Sequence, residues 1–388
     1  MAGDAPLRAA SAARAPGNVY DVGELGGAFG DLGTFVPFVV GYLAVTGLDP
    51  AGILVSFGLA QIGVGLYYRT PLAVQPMKAI GSAAVSQPAV VTAGALQAAG
   101  LFTGALWLVL GLTGAASWMA RLAGRPVVNG LVLGLALALG LAGIRMAATD
   151  PVVGVIAGVV VLVFLSRAAA PSMLLLLALG LGVALVRAPT LAADLAVAAW
   201  DWRLPSLGVA GLGWGEVVTG VVVLALPQAA LTFGNAVLAT TEENNASFPD
   251  RPVTVRALAV NHGLMNLMGG ALGGVPMCHG AGGMAGHRRF GARTGGALVI
   301  LGALTLIAGL GFAEAIALLM RVFPAGVLGV VLLAGSLGLA TSVELGGASR
   351  EERYITFATA ALAMWNMGLG FVAGALLWCG RRQGWLRA

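Results

Sequence analysis

Charge is scarce in this chain. Charged residues make up 10% of its 388 residues, and among them stands a single lysine, Lys78. A soluble domain of this length carries roughly a quarter charged residues, so a water-soluble globular fold is excluded. Cysteine is scarce too: Cys278 and Cys379 lie in separate apolar regions, which rules out a disulfide framework and a zinc-type ligand spacing. Residues 1–19 hold Arg8 and Arg14 but no apolar run, so they read as a disordered cytoplasmic tail and not a signal peptide. The net charge of +5 could point to nucleic acid, yet the arginines are scattered singly at segment ends and form no binding stripe. No nucleic-acid partner and no cofactor is expected.

What is present is apolar: 59% of the residues, with a mean hydropathy of +0.93. The runs are long, which favours helices over the short alternating strands of a membrane barrel, so an all-α integral membrane fold is expected. Sixty glycines point to helices that pack closely or break where backbone meets a ligand. Runs bounded by Gly, Pro and charge predict seven spans near 24–47, 51–68, a short one from Pro76 to 87, 92–119, 126–147, 151–166 and 171–187. Residues 188–212 are more polar and read as a linker with an interfacial helix, where Trp200 and Trp202 suit the headgroup level. Seven more spans follow near 214–240, 254–274, a short one after Pro276, 294–318, 322–343, 353–366 and 367–380.

Landmarks recur in the two halves. Gly23-Glu24 and Gly215-Glu216 open the first and eighth spans, while Pro76-Met77 and Pro276-Met277 precede the two short ones. Fourteen spans as a 7+7 repeat are therefore expected, over 20–187 and 213–380, with a short tail at 381–388. An odd number of spans per half makes the second repeat inverted, and paired short, Gly/Pro-interrupted segments point to a transporter binding site. With the N-terminus inside, sixteen arginines fall at inner ends and four, Arg145, Arg187, Arg203 and Arg321, at outer ends. That asymmetry obeys the positive-inside rule and puts both termini in the cytoplasm.

Four segments carry polar groups where a span should be apolar. Asp31, between Gly30 and Gly33 and followed by Thr34 and Pro37, marks either a locally unwound helix open to a cavity or a kink capped by Asp31. Gln75-Pro76-Met77-Lys78 places proline at a helix start, freeing the N–H groups of Met77 to Ile80 to form an anion site with the helix dipole. Lys78 adds positive charge to that positive end. An anionic ligand or Asp31 would remove the conflict, whereas a snorkelling lysine is the alternative. Around Pro276, His279 and the small residues Gly280, Ala281 and Gly282 repeat the pattern, with His279 either a ligand or a packing residue. Gln228, Thr232 and Asn235 share one helical face, as oxyanion donors or as glue between helices.

At these residues a resemblance appears. GELGGAFGDLGTFVP, AVQPMKAI and GVPMCHGAGGMAGHRRFGART resemble the molybdate transporter family related to the sulfate permeases. The resemblance implies the 7+7 inverted-repeat fold of sulfate and nucleobase permeases. It also implies a core domain (spans 1–4 and 8–11) moving like an elevator against a gate domain (spans 5–7 and 12–14). Substrate would lie between the starts of the two short spans. Nucleobase carriers of this fold use acidic residues in spans eight and ten, where this chain has Gln228, Asn235 and His279.

The expectation is a secondary transporter in the cytoplasmic membrane taking up molybdate or sulfate, with a coupled proton on Asp31 or His279 and a homodimer through the gate domain. Lys78 would neutralise the dianion, Thr34, Gln228, Thr232, Asn235 and His279 would donate to it, and Gln75, Met77, Gly280, Ala281 and Gly282 would line it. Rivals are a nucleobase permease, an anion channel and an intramembrane enzyme. The last would need a nucleophile or metal set that the sequence does not offer.

Overall fold

The computed structural model describes residues 17–86, 90–120, 124–164, 172–198, 200, 202–208, 212–341, 343 and 345–385. Helices α1 (Val22–Ala28) and α2 (Leu32–Thr46) flank a 3-10 turn at Phe29–Asp31, followed by α3 (Pro50–Tyr68), strand β1 (Val74–Pro76) and α4 (Lys78–Ser86). Next come α5 (Ala93–Thr113), α6 (Ala115–Ala120), α7 (Arg125–Ala148), α8 (Pro151–Phe164), α9 (Ser172–Arg187) and α10 (Leu191–Val197). One continuous rod then runs through α11 (Trp214–Val218), α12 (Leu226–Leu231) and α13 (Thr240–Ser247), with π-helical turns at Thr219–Ala225 and Thr232–Ala239 between them. The chain closes with α14 (Val255–Ala271), β2 (Met277–His279), α15 (Ala281–Arg289), α16 (Gly296–Gly311), α17 (Ala313–Val322), α18 (Ala325–Thr341), α19 (Arg350–Trp365) and α20 (Met367–Arg382).

Each expected span contains a helix. Among the described residues, four helices are long and apolar enough to cross a membrane alone, or up to six when two bent pairs are each taken as one span. The outer face of α8 carries Val152, Val155, Val159 and Leu162, all exposed, as a helix against lipid does. Helices of the two halves pack against each other: α3 on α16, α5 on α14 and α7 on α18. Small residues permit these crossings. A Cβ on Gly58 would sit 2.8 Å from the Gly302 carbonyl, so the α3 and α16 backbones meet directly there.

Several boundaries differ from expectation for identifiable reasons. The break in the first span is a tight 3-10 turn with helix on both sides, not an unwound stretch, and Asp31 makes no side-chain cap to α2. The eleventh span ends at Gly311, where the chain turns by 87° into α17 and Trp200 packs edge-on against Phe312. The eighth runs on to Ser247, so Glu242 and Glu243 are helical and pair with Arg125 and Arg288. Residues 1–16 of the expected tail lie outside the described residues, but Asn18 and Val19 are docked, donating to the Gly65 carbonyl at 2.9 Å and the Thr294 hydroxyl at 3.2 Å.

Of the two Gly-Glu landmarks, Glu24 is a helix cap lent from one half to the other, while Glu216 caps its own helix through the Gly213 N–H and reaches across to the capping residue of α5. The Glu24 carboxylate accepts from the N–H groups of Arg293, Thr294 and Ala297 at 2.8–2.9 Å, closing the start of α16. Glu216 accepts from Thr92, the N-cap of α5, at 3.1 Å. Each carboxylate stands at the positive end of a helix in the opposite half.

Candidate functional site

Two short helices leave a common crossing. β1 and β2 pair antiparallel in the register Val74↔His279, Gln75↔Cys278 and Pro76↔Met277. α4 leaves one end of this ladder and α15 the other, so their N-termini stand on opposite sides of it. The prolines end or precede strands and do not begin helices. Pro76 is the last residue of β1, and Pro276 comes before β2 and accepts the Met77 N–H at 2.9 Å. The Met77 donor is therefore used. Its carbonyl takes the Tyr42 hydroxyl at 3.0 Å, and its side chain is buried in the main apolar cluster.

At the α4 end, Lys78 is the first helical residue and 5% exposed, and its ammonium makes no hydrogen bond or ion pair among the described residues. The Ala79 N–H donates to Gln228 Oε1 at 2.9 Å, and Gln228 Nε2 donates to Thr232 Oγ1 at 2.9 Å. Thr232 thus keeps its own proton free to donate. Asn235 lies in the same π-helical turn, buried, with no hydrogen bond to its side chain among the described residues. π-turns widen the spacing of side chains and are frequent at functional sites.

At the α15 end stands Asp31, 3% exposed, with both carboxylate oxygens 2.8 Å from Gln75 Nε2. Gln75 Oε1 is buried and has no hydrogen-bond partner among the described residues. The pair lies across the first turn of α15. A Cβ on Gly283 would fall 2.7 Å from Asp31 Oδ1, and one on Gly280 would meet Gln75 Oε1, so both must be glycine for this approach. Gly282 is exposed, with nothing near its Cβ position, and Ala281 is half-buried. Asp31 and Lys78 therefore serve different helix ends and form no ion pair. Thr34 falls in α2, its side chain outside the described residues.

His279 turns away from both ends. Its Nδ1 lies 2.9 Å from the Ala73 carbonyl, which can only accept, and its Nε2 lies 2.8 Å from Asn261 Oδ1. Both ring nitrogens are engaged by protein, because the strand register at Val74 aims the ring toward α14. His279 was not expected to have neighbours on α14. His262 Nε2 accepts the His279 N–H at 3.2 Å, while Asn266 bonds the Met277 N–H at 2.8 Å and its carbonyl at 2.7 Å. These two side chains, four residues apart, act as a third strand on the free edge of β2. Two buried polar residues on one face of an apolar span were the signal available in the sequence.

Known proteins match along most of this length. The family model described as a molybdate transporter of the MFS superfamily matches residues 23–139 and 220–339. Molybdate transporter 2 of Arabidopsis thaliana is 32% identical over 92% of this chain and 86% of its own length. Molybdate transporter 1 of Chlamydomonas reinhardtii is 28% identical over 90% of this chain and 89% of its own. Among solved structures, murine Slc26a9, an anion transporter in the inward-facing state, aligns with a TM-score of 0.71 at 10% identity, over 94% of this chain and 69% of its own. The transmembrane domain of the cyanobacterial bicarbonate transporter BicA aligns with a TM-score of 0.62 at 16% identity, over 91% of this chain and 97% of its own. The likeness to these two structures is one of fold.

Proposed function

The chain belongs to the molybdate transporter family, and from that premise we propose that it is a secondary active transporter taking up molybdate across the cytoplasmic membrane. One observation carries the proposal: the only lysine lies buried at a helix N-terminus with no partner among the described residues. An unpaired buried ammonium beside unbonded N–H groups calls for an anion. Besides Lys78, the free N–H groups of Lys78 and Ile80, the Thr232 hydroxyl and the Asn235 amide are the donors for a tetrahedral dianion. Sulfate has the same shape and charge and is the second substrate.

Moving a dianion against an inside-negative potential of about 100 mV costs roughly 4.6 kcal/mol, from about 2.3 per charge. Uptake is therefore coupled to a cation, and the proton is carried on Asp31, because both nitrogens of His279 are committed. Fourteen spans in a 7+7 inverted repeat frame the site, supported by the Glu24 cap on α16, the Thr92–Glu216 bond and the pairing of β1 with β2. The repeats occupy 20–187 and 213–380, joined by the linker 188–212, with both termini cytoplasmic. Spans 1–4 and 8–11 form the core that moves against the gate of α7–α9 and α18–α20, whose outer face also joins two copies.

Uptake of labelled molybdate into proteoliposomes tests this reading. Saturable uptake that excess sulfate reduces and an inward proton gradient accelerates is the expected result. No uptake by the wild-type protein overturns the assignment, and full uptake by Lys78→Ala removes Lys78 from the site.

A further inference from the structure

Gln228 meets the α4 terminus as an acceptor, which runs against the part of donor to a ligand that its residue type suggested. Met77 stands immediately before α4, where Ser, Thr, Asp or Asn would cap the helix, and its thioether is a poor acceptor. The cap arrives from 149 residues away, as Gln228 Oε1 accepts the Ala79 N–H at 2.9 Å. The amide is held at its other end by Thr232, and the residue is 1% exposed. Turning it over would set an NH2 group against the Ala79 N–H, donor against donor, so the orientation is fixed.

An oxyanion held by Lys78 and the first turn of α4 needs the Ala79 N–H as well, and one N–H cannot serve two acceptors at full strength. We propose that Gln228 is an internal competitor of the substrate, whose carboxamide oxygen occupies the helix terminus and must be displaced by an oxyanion oxygen. A charged acceptor makes the stronger bond to an N–H, so an anion displaces the amide where a neutral oxygen does not. Gln228 is thereby a specificity-determining residue. It selects for charge and keeps binding weak enough for release on the far side. This inference rests on the transport reading above.

The experiment uses the purified full chain in detergent, measuring molybdate binding by calorimetry and thermal unfolding without molybdate. Gln228→Ala removes the competitor and is expected to tighten molybdate binding about fivefold, the worth of one hydrogen bond. Gln228→Glu places a carboxylate on the same N–H beside Lys78. Its unfolding midpoint without molybdate is expected to rise, and its molybdate affinity to fall roughly tenfold or more. Weaker binding by Gln228→Ala would make Gln228 an ordinary ligand and overturn the proposal. If that variant does not fold, the isosteric Gln228→Glu decides, and wild-type affinity in it is equally fatal. A wild-type protein that binds neither molybdate nor sulfate defeats the transport reading, while a raised midpoint in Gln228→Glu would still establish the cap.

Discussion

Lys78 is costly to the fold, and that cost separates its roles. A buried ammonium without a partner destabilises by about 1–3 kcal/mol or more, since its hydrogen-bonding capacity is lost with its hydration. Lys78→Met keeps the length of the side chain and removes the charge. The variant is expected to unfold at a higher temperature than the wild type while losing molybdate uptake. A variant less stable than the wild type would mean that Lys78 serves packing. Lys78 was legible in the sequence because a single charge in an apolar run is conspicuous. The direction of His279 was not, because it depends on strand register across two hundred residues. Nor was the choice between Lys78 and Gln75 as the partner of Asp31, since both lie within one short motif and only the turn of the backbone separates them.

Among the elements, α15 and the β1–β2 ladder set the tolerance of the site. Gly282 and Gly283 are adjacent and chemically identical, yet only Gly283 faces the Asp31–Gln75 pair. Gly283→Ala is expected to cost about 1–3 kcal/mol through overpacking and to slow uptake, with Gly282→Ala close to wild type in both. Unfolding midpoints and initial uptake rates of the two variants check this contrast. On the other side of the ladder, Asn266→Leu strips both bonds from the Met277 backbone, an expected loss of about 2–4 kcal/mol read by thermal unfolding. The helices themselves were largely foreseen, because long apolar runs bounded by Gly and Pro announce themselves. Three-residue strands were not, since they have no periodicity to read. Proline in PMKAI and PMCHG suggested helix starts, where the ladder uses its carbonyl and its lack of a donor.

Across the whole molecule, charged contacts sit at the ends of helices. Asp150, in the turn between α7 and α8, meets the Arg187 guanidinium through two hydrogen bonds of 2.6 and 3.1 Å. That bond holds the Asp150 carboxyl below its ordinary value. The stability it contributes is complete above the ordinary carboxylate pKa and disappears as the pH falls through the lowered value. Asp150→Asn is expected to lower the unfolding midpoint slightly at neutral pH, with the difference from wild type closing in strong acid. Arg125 and Glu242, the ion pair among the described residues that joins α7 to the long rod, is exposed on both sides at 79% and 62% and contributes at most about 1 kcal/mol. It is too weak to hold those two helices together by itself.

The bonds between the two halves also bear on how the chain is made. While the first half is being inserted into the membrane, the Thr92 hydroxyl waits for Glu216 and β1 for β2, neither of which has left the ribosome. Glu24, synthesised early, likewise has no helix to close until Thr294 and Ala297 emerge. The first half must therefore dwell in the bilayer as an unfinished intermediate, dependent on a second half that arrives with the missing pieces. Two chains made by a cut between residues 198 and 212 and produced together should find each other and restore uptake, whereas either one alone should be degraded.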